Sequence, residues 1–291
     1  MSSPSSTWIK GNRFSVTSKM KRNLLLLLPF AIMTLLLVLI PLLLIIIKSF
    51  IPASGGTVSD NWSIVNGFIW KKILFSFIFA VITTIVCVFI AYPFAYFLST
   101  SKSKIFKTMI VFISTAPIWM SFLVKLIGLK TFFDLCAGYD NSTYGSVFTV
   151  IGLVYLYLPF MIMPIYSVLN DMPKNLVYAS YDLGYGGLGT FFKVVVPYTK
   201  TALISGITLV FLPSLTTVAV PQFLNNNNNG SMIGDLIVDQ GQAGLTSDIA
   251  LARASTLSLV LSLLMLAAFA IWLIIRRVTK RVSAKRRMTN A

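Results

Sequence analysis

Few residues in this chain can do covalent chemistry. It has no histidine and no glutamate, and its eight acidic residues are all aspartates. Histidine proton shuttles, histidine metal sites and glutamate general bases are therefore excluded. Cys87 lies in an apolar run and Cys136 in a loop; their spacing is not that of metal ligands, and both read as unpaired. No paired carboxylates fall inside an apolar run. The expectation is a non-enzyme with no cofactor and no metal. What remains is recognition, and the residues organised for it lie in one polar stretch, 170–197. It opens Asn170-Asp171-Met172-Pro173-Lys174, runs apolar to Leu183, breaks at Gly184-Tyr185-Gly186-Gly187, and runs apolar again to Pro197.

These are helix start, break and stop signals. Asp171 is placed to cap a first short helix and Pro173 suits its first turn. Asp182 comes late in that helix, where an acid opposes the macrodipole, so it is read as held for contact. Gly184 allows a left-handed stop. Leu188, Phe191, Phe192 and Val195 form the apolar face of a second helix, which Pro197 is expected to end. A structured loop of this kind is a handle for another protein, with folding back onto its own bundle as the plain alternative.

The elements that hold this loop are membrane spans. The chain is 56% hydrophobic and 11% charged, with mean hydropathy +0.84, against roughly 25% charged in soluble domains. Six apolar runs are long enough to cross a bilayer as helices: Leu24–Ile47, Ile73–Leu98, Lys107–Leu126, Ser146–Leu169, Thr201–Val220 and Ala250–Ile275. The third is diluted by Ser114, Thr115, Pro117 and Ser121. With the N-terminus inside, 18 of the 24 Lys and Arg residues fall on the inner side, and six of the eight aspartates fall outside. The positive-inside rule then puts both termini in the cytoplasm, and the chain reads as a multi-pass plasma-membrane protein. The net charge of +16 clusters at membrane edges. It reads as contact with anionic lipid, and nucleic acid is not an expected partner.

The expected organisation is a disordered cytoplasmic N-terminus over 1–20, a first span and outer loop over 21–72, a transmembrane core over 73–276 and a basic cytoplasmic tail over 277–291. Candidate pathway residues are Tyr96, Trp119, Lys125, Tyr157, Thr216, Thr217 and Gln222. Pro93 marks a bend beside Tyr96, and Pro159 and Pro164 imply an irregular helix around Tyr157. Lys125 must snorkel, pair or face water. The hydroxyls of Thr216 and Thr217 suit a pore lining or close helix packing. Asp235, Asp239 and Asp248 are expected on a negative outer surface.

The loop carries a resemblance. Ala179-Ser180-Tyr181-Asp182-Leu183-Gly184, nine residues, then Val194-Val195-Val196-Pro197 resembles the Glu-Ala-Ala loop of binding-protein-dependent ABC importer permeases. The Gly-to-Pro spacing matches without gaps, while Tyr178 stands at the family's glutamate and Ser180 at its second alanine. Three further stretches, Tyr92–Leu98, Leu123–Lys130 and Leu158–Ser167, are similar to the spermidine/putrescine permeases of the first-subunit type. The resemblance implies an all-α membrane protein with six transmembrane helices, in the type I ABC importer permease fold with a cytoplasmic coupling helix. It also implies the partners: a second homologous permease, a dimeric ABC ATPase and an extracellular substrate-binding protein. Tyr178, Ala179, Ser180, Asp182, Gly184, Gly187, Phe191 and Pro197 would form the ATPase-coupling loop. A different small solute, and an autonomous secondary transporter, remain open alternatives.

Overall fold

Hydrocarbon offers no partner to a backbone N–H or C=O, so each apolar run has to close its own hydrogen bonds as a helix. The computed structural model describes residues 27–53, 56–137, 144–225 and 232–289, with backbone alone at 268 and from 271 on. The expected disordered segment 1–20 and most of the asparagine run after Asn225 lie outside the described residues. Helices α1 (Leu27–Phe50), α3 (Gly67–Thr100), α6 (Gly145–Asn170), α8 (Gly187–Thr216) and the start of α11 (Asp248–Ala267) are each long and apolar enough to span. A sixth span is broken: α4 (Lys104–Trp119) and α5 (Phe122–Ala137) meet at a bend of 98°.

The chain divides into two compact units, 1–62 with 247–291, and 63–246. In the first, α1 and the short α2 (Val58–Trp62) pack on α11, which runs from Asp248 to Thr289. The buried Asn61 side chain ties the end of α1 to α2, its Nδ2 donating to the Ile51 carbonyl at 2.8 Å.

In the second unit α3, α6 and α8 pack pairwise, and their buried side chains form two clusters. One holds Cys87, Tyr92, Met161, Ile165 and Val210. The other joins Phe79 of α3, Leu126 and Phe133 of α5, Leu153 and Leu156 of α6, and Val220 and Leu224 of the short helix α9 (Ala219–Leu224). Small residues permit the close approaches. A Cβ at Gly206 of α8 would meet Met161 Sδ at 2.6 Å, and one at Gly152 of α6 would run into Leu224 Cδ1. Buried hydroxyls bond back to their own helix, as Thr84 does to Ala80 and Ser214 to Val210, which satisfies these groups without help from lipid.

Three boundaries differ from the sequence expectation. The third run is two helices, because the chain turns at Met120-Ser121 and the Lys125 ammonium bonds back across the turn to the Pro117 carbonyl at 2.8 Å. The fifth span ends at Thr216 and a separate helix, α9, follows. Pro197 does not stop a helix: α8 runs through it from Gly187. A π turn over Phe191–Val195 widens the helix ahead of that proline, absorbing the clash a proline ring makes with the carbonyl four residues back. The same pairing recurs in α1, where a π turn over Leu35–Leu39 precedes Pro41.

The helix α10 (Ile233–Ala243) closes the unit against α3, α8 and α9. A Cβ at Gly234 would lie 2.8 Å from the Thr217 carbonyl oxygen and 2.9 Å from that of Thr216. These are backbone atoms at a helix end and cannot swing aside. Gly234→Ala should destabilise the protein by about 1–3 kcal/mol, the usual cost of overpacking. Gly128→Ala, with nothing within 4 Å of the added carbon, should be neutral or slightly stabilising. Thermal unfolding of the two variants in detergent compares them directly.

Candidate functional site

The 170–197 loop is a helical hairpin with a defined stop. Helix α7 (Lys174–Asp182) ends with the Gly184 N–H donating to the Tyr181 carbonyl at 2.9 Å and the Tyr185 N–H donating to the Ser180 carbonyl at 3.1 Å. This pair of reverse bonds is a Schellman motif, which needs a left-handed residue between helix and loop. Gly184 supplies it with φ 82°. The start of α7 differs from expectation. Asp171 is spent as the C-cap of α6, and Pro173 takes the N-cap position of α7 with no side-chain bond.

Ser180, at the family's alanine position, is buried. Its Oγ shares a 2.8 Å hydrogen bond with Thr190 Oγ1, also buried, which clips α7 to the start of α8. The departure from alanine is thus matched by a partner across the turn. Lys193 reinforces the hairpin, its ammonium standing 4.3 Å from the centroid of the Tyr185 ring.

The apolar residues of the loop divide into two sets. Leu183 and Leu188 are 77% and 78% exposed, and Tyr178, Tyr181 and Phe192 are exposed beside them. Ala179, Asp182 and Gly187 share this open surface, and Pro197 is exposed on α8. Phe191 and Val195 point the other way. Val195 is fully buried. The Phe191 ring packs edge-on against Tyr92 at 5.3 Å and Tyr96 at 5.2 Å, both on α3. The Tyr92 hydroxyl is hydrogen bonded to Thr199 on α8. The expected single face of Leu188, Phe191, Phe192 and Val195 is therefore split, with half in the unit and half open.

The pathway candidates do not form one constellation. Tyr96 belongs to the aromatic joint beneath the loop. Trp119 ends α4 with its side chain exposed, and Lys125 is buried on the Pro117 carbonyl. Tyr157, Thr216, Thr217 and Gln222 gather around the break between α8 and α9. The Thr217 side chain is a hydrogen-bond partner of the Tyr157 phenol, Thr216 Oγ1 bonds back to the Leu212 carbonyl at 3.2 Å, and Gln222 is exposed on α9. Sequence reasoning assigned Asp235 to a solvated outer surface, and the structure buries it beside this break at 4% exposure. Its Oδ2 accepts from the Met232 N–H at 3.0 Å. Burial is the main cause that pushes its pKa up to about 6, with the Met232 bond and the Lys72 charge opposing the shift and Asp239 adding to it. Only the tertiary fold brings Lys72, Ser76 and Asp235 together, so no local signal marked the residue.

The profile of one transport family, the binding-protein-dependent transport system inner membrane component, matches residues 88–283. The chain belongs to that family. Among curated relatives of this permease, a Mycoplasma genitalium protein described as a spermidine/putrescine transport system permease protein PotB homolog is 40% identical over 258 residues, 86% of this chain and 90% of its own length. A Mycoplasma pneumoniae protein of the same description is 37% identical over 276 residues, 92% of this chain and 96% of its own. The spermidine/putrescine transport system permease protein PotB of Escherichia coli is 32% identical over 221 residues, 71% of this chain and 80% of its own. Among solved structures, a bacterial ABC transporter involved in the import of the acidic polysaccharide alginate superposes with a TM-score of 0.63 at 15% identity, covering 88% of this chain and 96% of that one. That likeness supports the fold: an all-helical type I ABC importer permease. The chain is a multi-pass membrane permease subunit that works with other ABC components, in a family of transport proteins rather than enzymes.

The Ser180–Thr190 clip yields a double-mutant cycle. Ser180→Ala and Thr190→Val should each lower stability by about 1 kcal/mol, because each strands a buried hydroxyl or loses its bond. The double variant should lose clearly less than the sum, since neither partner is then left waiting. Melting temperatures of the four proteins in detergent give the coupling.

Proposed function

We propose that this permease subunit imports polyamines of the spermidine/putrescine class, with residues 170–197 as the loop through which an ATPase drives it. The loop reading rests on one observation: a rigid, clipped hairpin that leaves Tyr178, Tyr181, Leu183, Leu188 and Phe192 exposed. Exposed apolar side chains on a rigid loop are features of a docking surface. The substrate reading rests on the curated relatives, whose descriptions name spermidine and putrescine. The partners in this reading are a second homologous permease, a dimeric ABC ATPase and an extracellular binding protein, with both termini cytoplasmic.

The mechanism is mechanical. Nucleotide binding closes the ATPase pair and displaces the docked loop. Tyr178, Ala179, Asp182, Gly184 and Gly187 belong to the surface that is gripped. Ser180 keeps the hairpin from opening under load. Phe191, wedged against Tyr92 and Tyr96, passes the displacement to the end of α3. The cavity then turns outward to receive solute from the binding protein, and hydrolysis resets it. No bond of the solute is made or broken by this chain.

Gly184→Val tests the coupling. A β-branched residue at φ 82° is strained, so the hairpin stop should distort while the spans insert normally. The expected result is unchanged membrane abundance with loss of ATP-driven uptake of radiolabelled spermidine. Uptake at the wild-type rate would refute the loop's role. Isolation of the wild-type chain with neither an ATPase nor a second permease would refute the assembly.

A further inference from the structure

Among the described residues the spans hold only two acids, Asp134 in the last turn of α5 and Asp248 at the first residue of α11, yet the proposed solutes are polycations. A cation crossing a low-dielectric bundle needs a compensating charge or dipole. The structure contains one well-placed carboxylate, and it lies beside the break between α8 and α9.

Asp235 is in the first turn of α10. One carboxylate oxygen caps the Met232 N–H; the other, Oδ1, is buried with no hydrogen-bond partner. An orphaned buried acceptor is expensive and calls for an explanation. Three features point to the kind of group it would accept. The first is the end of α8, where the Thr216 and Thr217 carbonyls press on Gly234, next in the chain to Asp235. Carbonyls at a helix C-terminus carry the negative end of its dipole. The second is a polar face of α3. Lys72, Ser76 and Thr83 lie on one side of that helix, all buried. Ser76 Oγ accepts from the Ile233 N–H at 2.8 Å, which pins α10 to α3, while Thr83 Oγ1 has no hydrogen-bond partner. The third is Lys72 itself. Its four-carbon alkylammonium is buried in the same region and is attracted to Asp235.

A carboxylate beside a helix C-terminus favours a compact donor-rich cation. Asp239 is the one other carboxylate that acts on Asp235, and no group of three metal-ligating side chains occurs among the described residues. We propose that Asp235 receives an ammonium group of the transported amine, and that Lys72, chemically one end of an aliphatic diamine, holds the place until the substrate displaces it. This rests on the polyamine reading and assigns that substrate a point of contact. It also gives the threonines at the α8 break a role, with their carbonyl dipoles lining the approach to the carboxylate.

The titratable and charged groups facing Asp235 are few. Lys72 comes from α3 and Asp239 from α10 itself; the facing residues of α8 and α9 are uncharged. Because the Asp235 pKa is raised to about 6, the carboxylate is charged above that pH and neutral below it. Attraction for an ammonium is therefore lost as pH falls through about 6.

The test uses the complete transporter in proteoliposomes, with its binding protein and ATP, and measures spermidine and putrescine uptake. Asp235→Asn keeps an oxygen to cap Met232 but removes the charge. It should raise KM about tenfold or more, the loss expected for a charge-assisted hydrogen bond, with assembly and melting temperature close to wild type. Lys72→Gln removes the competing cation and should shift KM the opposite way. The wild-type KM should climb as pH is lowered through about 6, and that of Asp235→Asn should stay level. Unchanged KM in Asp235→Asn, with the wild type importing polyamine, overturns the site and leaves the polyamine reading intact. A wild-type complex that imports other solutes but no polyamine overturns both. Should Asp235→Asn fail to assemble, Lys72→Gln decides alone, and an unchanged or raised KM there overturns the site.

Discussion

Every backbone polar group within the bilayer must find its partner inside the protein, at a cost of several kcal/mol for each that fails. This constraint explains the irregular features of the structure as well as the regular ones. Pro41 of α1 and Pro197 of α8 would each displace a carbonyl, and at both a π turn ends two residues before the proline and takes up the distortion. The broken third span turns where Lys125 can place an ammonium on a carbonyl at the end of α4. Buried serines and threonines bond to the turn before them. Each irregularity carries its own internal satisfaction, so the permease can include bends and short helices without exposing polar groups to lipid.

The same accounting sets the two ends of unit 63–246 apart. At the end holding the 170–197 loop, polar groups serve rigidity: a Schellman stop, a serine–threonine clip and a cation over a tyrosine. Aromatic rings then join the hairpin to α3. At the opposite end the polar groups are incompletely used. Asp235 Oδ1 is buried without a partner, although Ser76 and the Met232 N–H are satisfied close by. The proposed lever has to be stiff, and the proposed cargo site has to keep bonding capacity in reserve. The distribution of satisfied and unsatisfied groups agrees with that division of labour.

Much of this was legible in the residue order. Apolar runs of twenty residues have one outcome in a membrane, so the spans were readable, and Gly184 was readable because left-handed helix stops select glycine. The Gly184-to-Pro197 spacing pointed to the family. The rest failed for identifiable reasons. Helical periodicity placed Leu188, Phe191, Phe192 and Val195 on one stripe, but the π turn changes the repeat within that stretch. Pro197 looked like a terminator because a proline's tolerance inside a helix depends on the turns before it. Asp171 looked like a cap for α7 but lies too close to α6, which uses it first. Asp235 looked like a surface acid because nothing near it in the chain is basic; Lys72 and Ser76 reach it from more than 150 positions away.

The π turn in α8 also acts as a phase shifter. An α-helix turns about 100° per residue, and a widened turn is in effect one extra residue inserted into that rotation. Phe191–Val195 stands between the hairpin and the span, so it fixes the angular offset between the side chains offered outward at Leu188 and those buried from Val195 onward. Removing a single residue there would leave both segments helical and the length almost the same. The hairpin would nevertheless be swung by roughly a quarter turn, aiming the same surface in a direction where nothing is built to meet it.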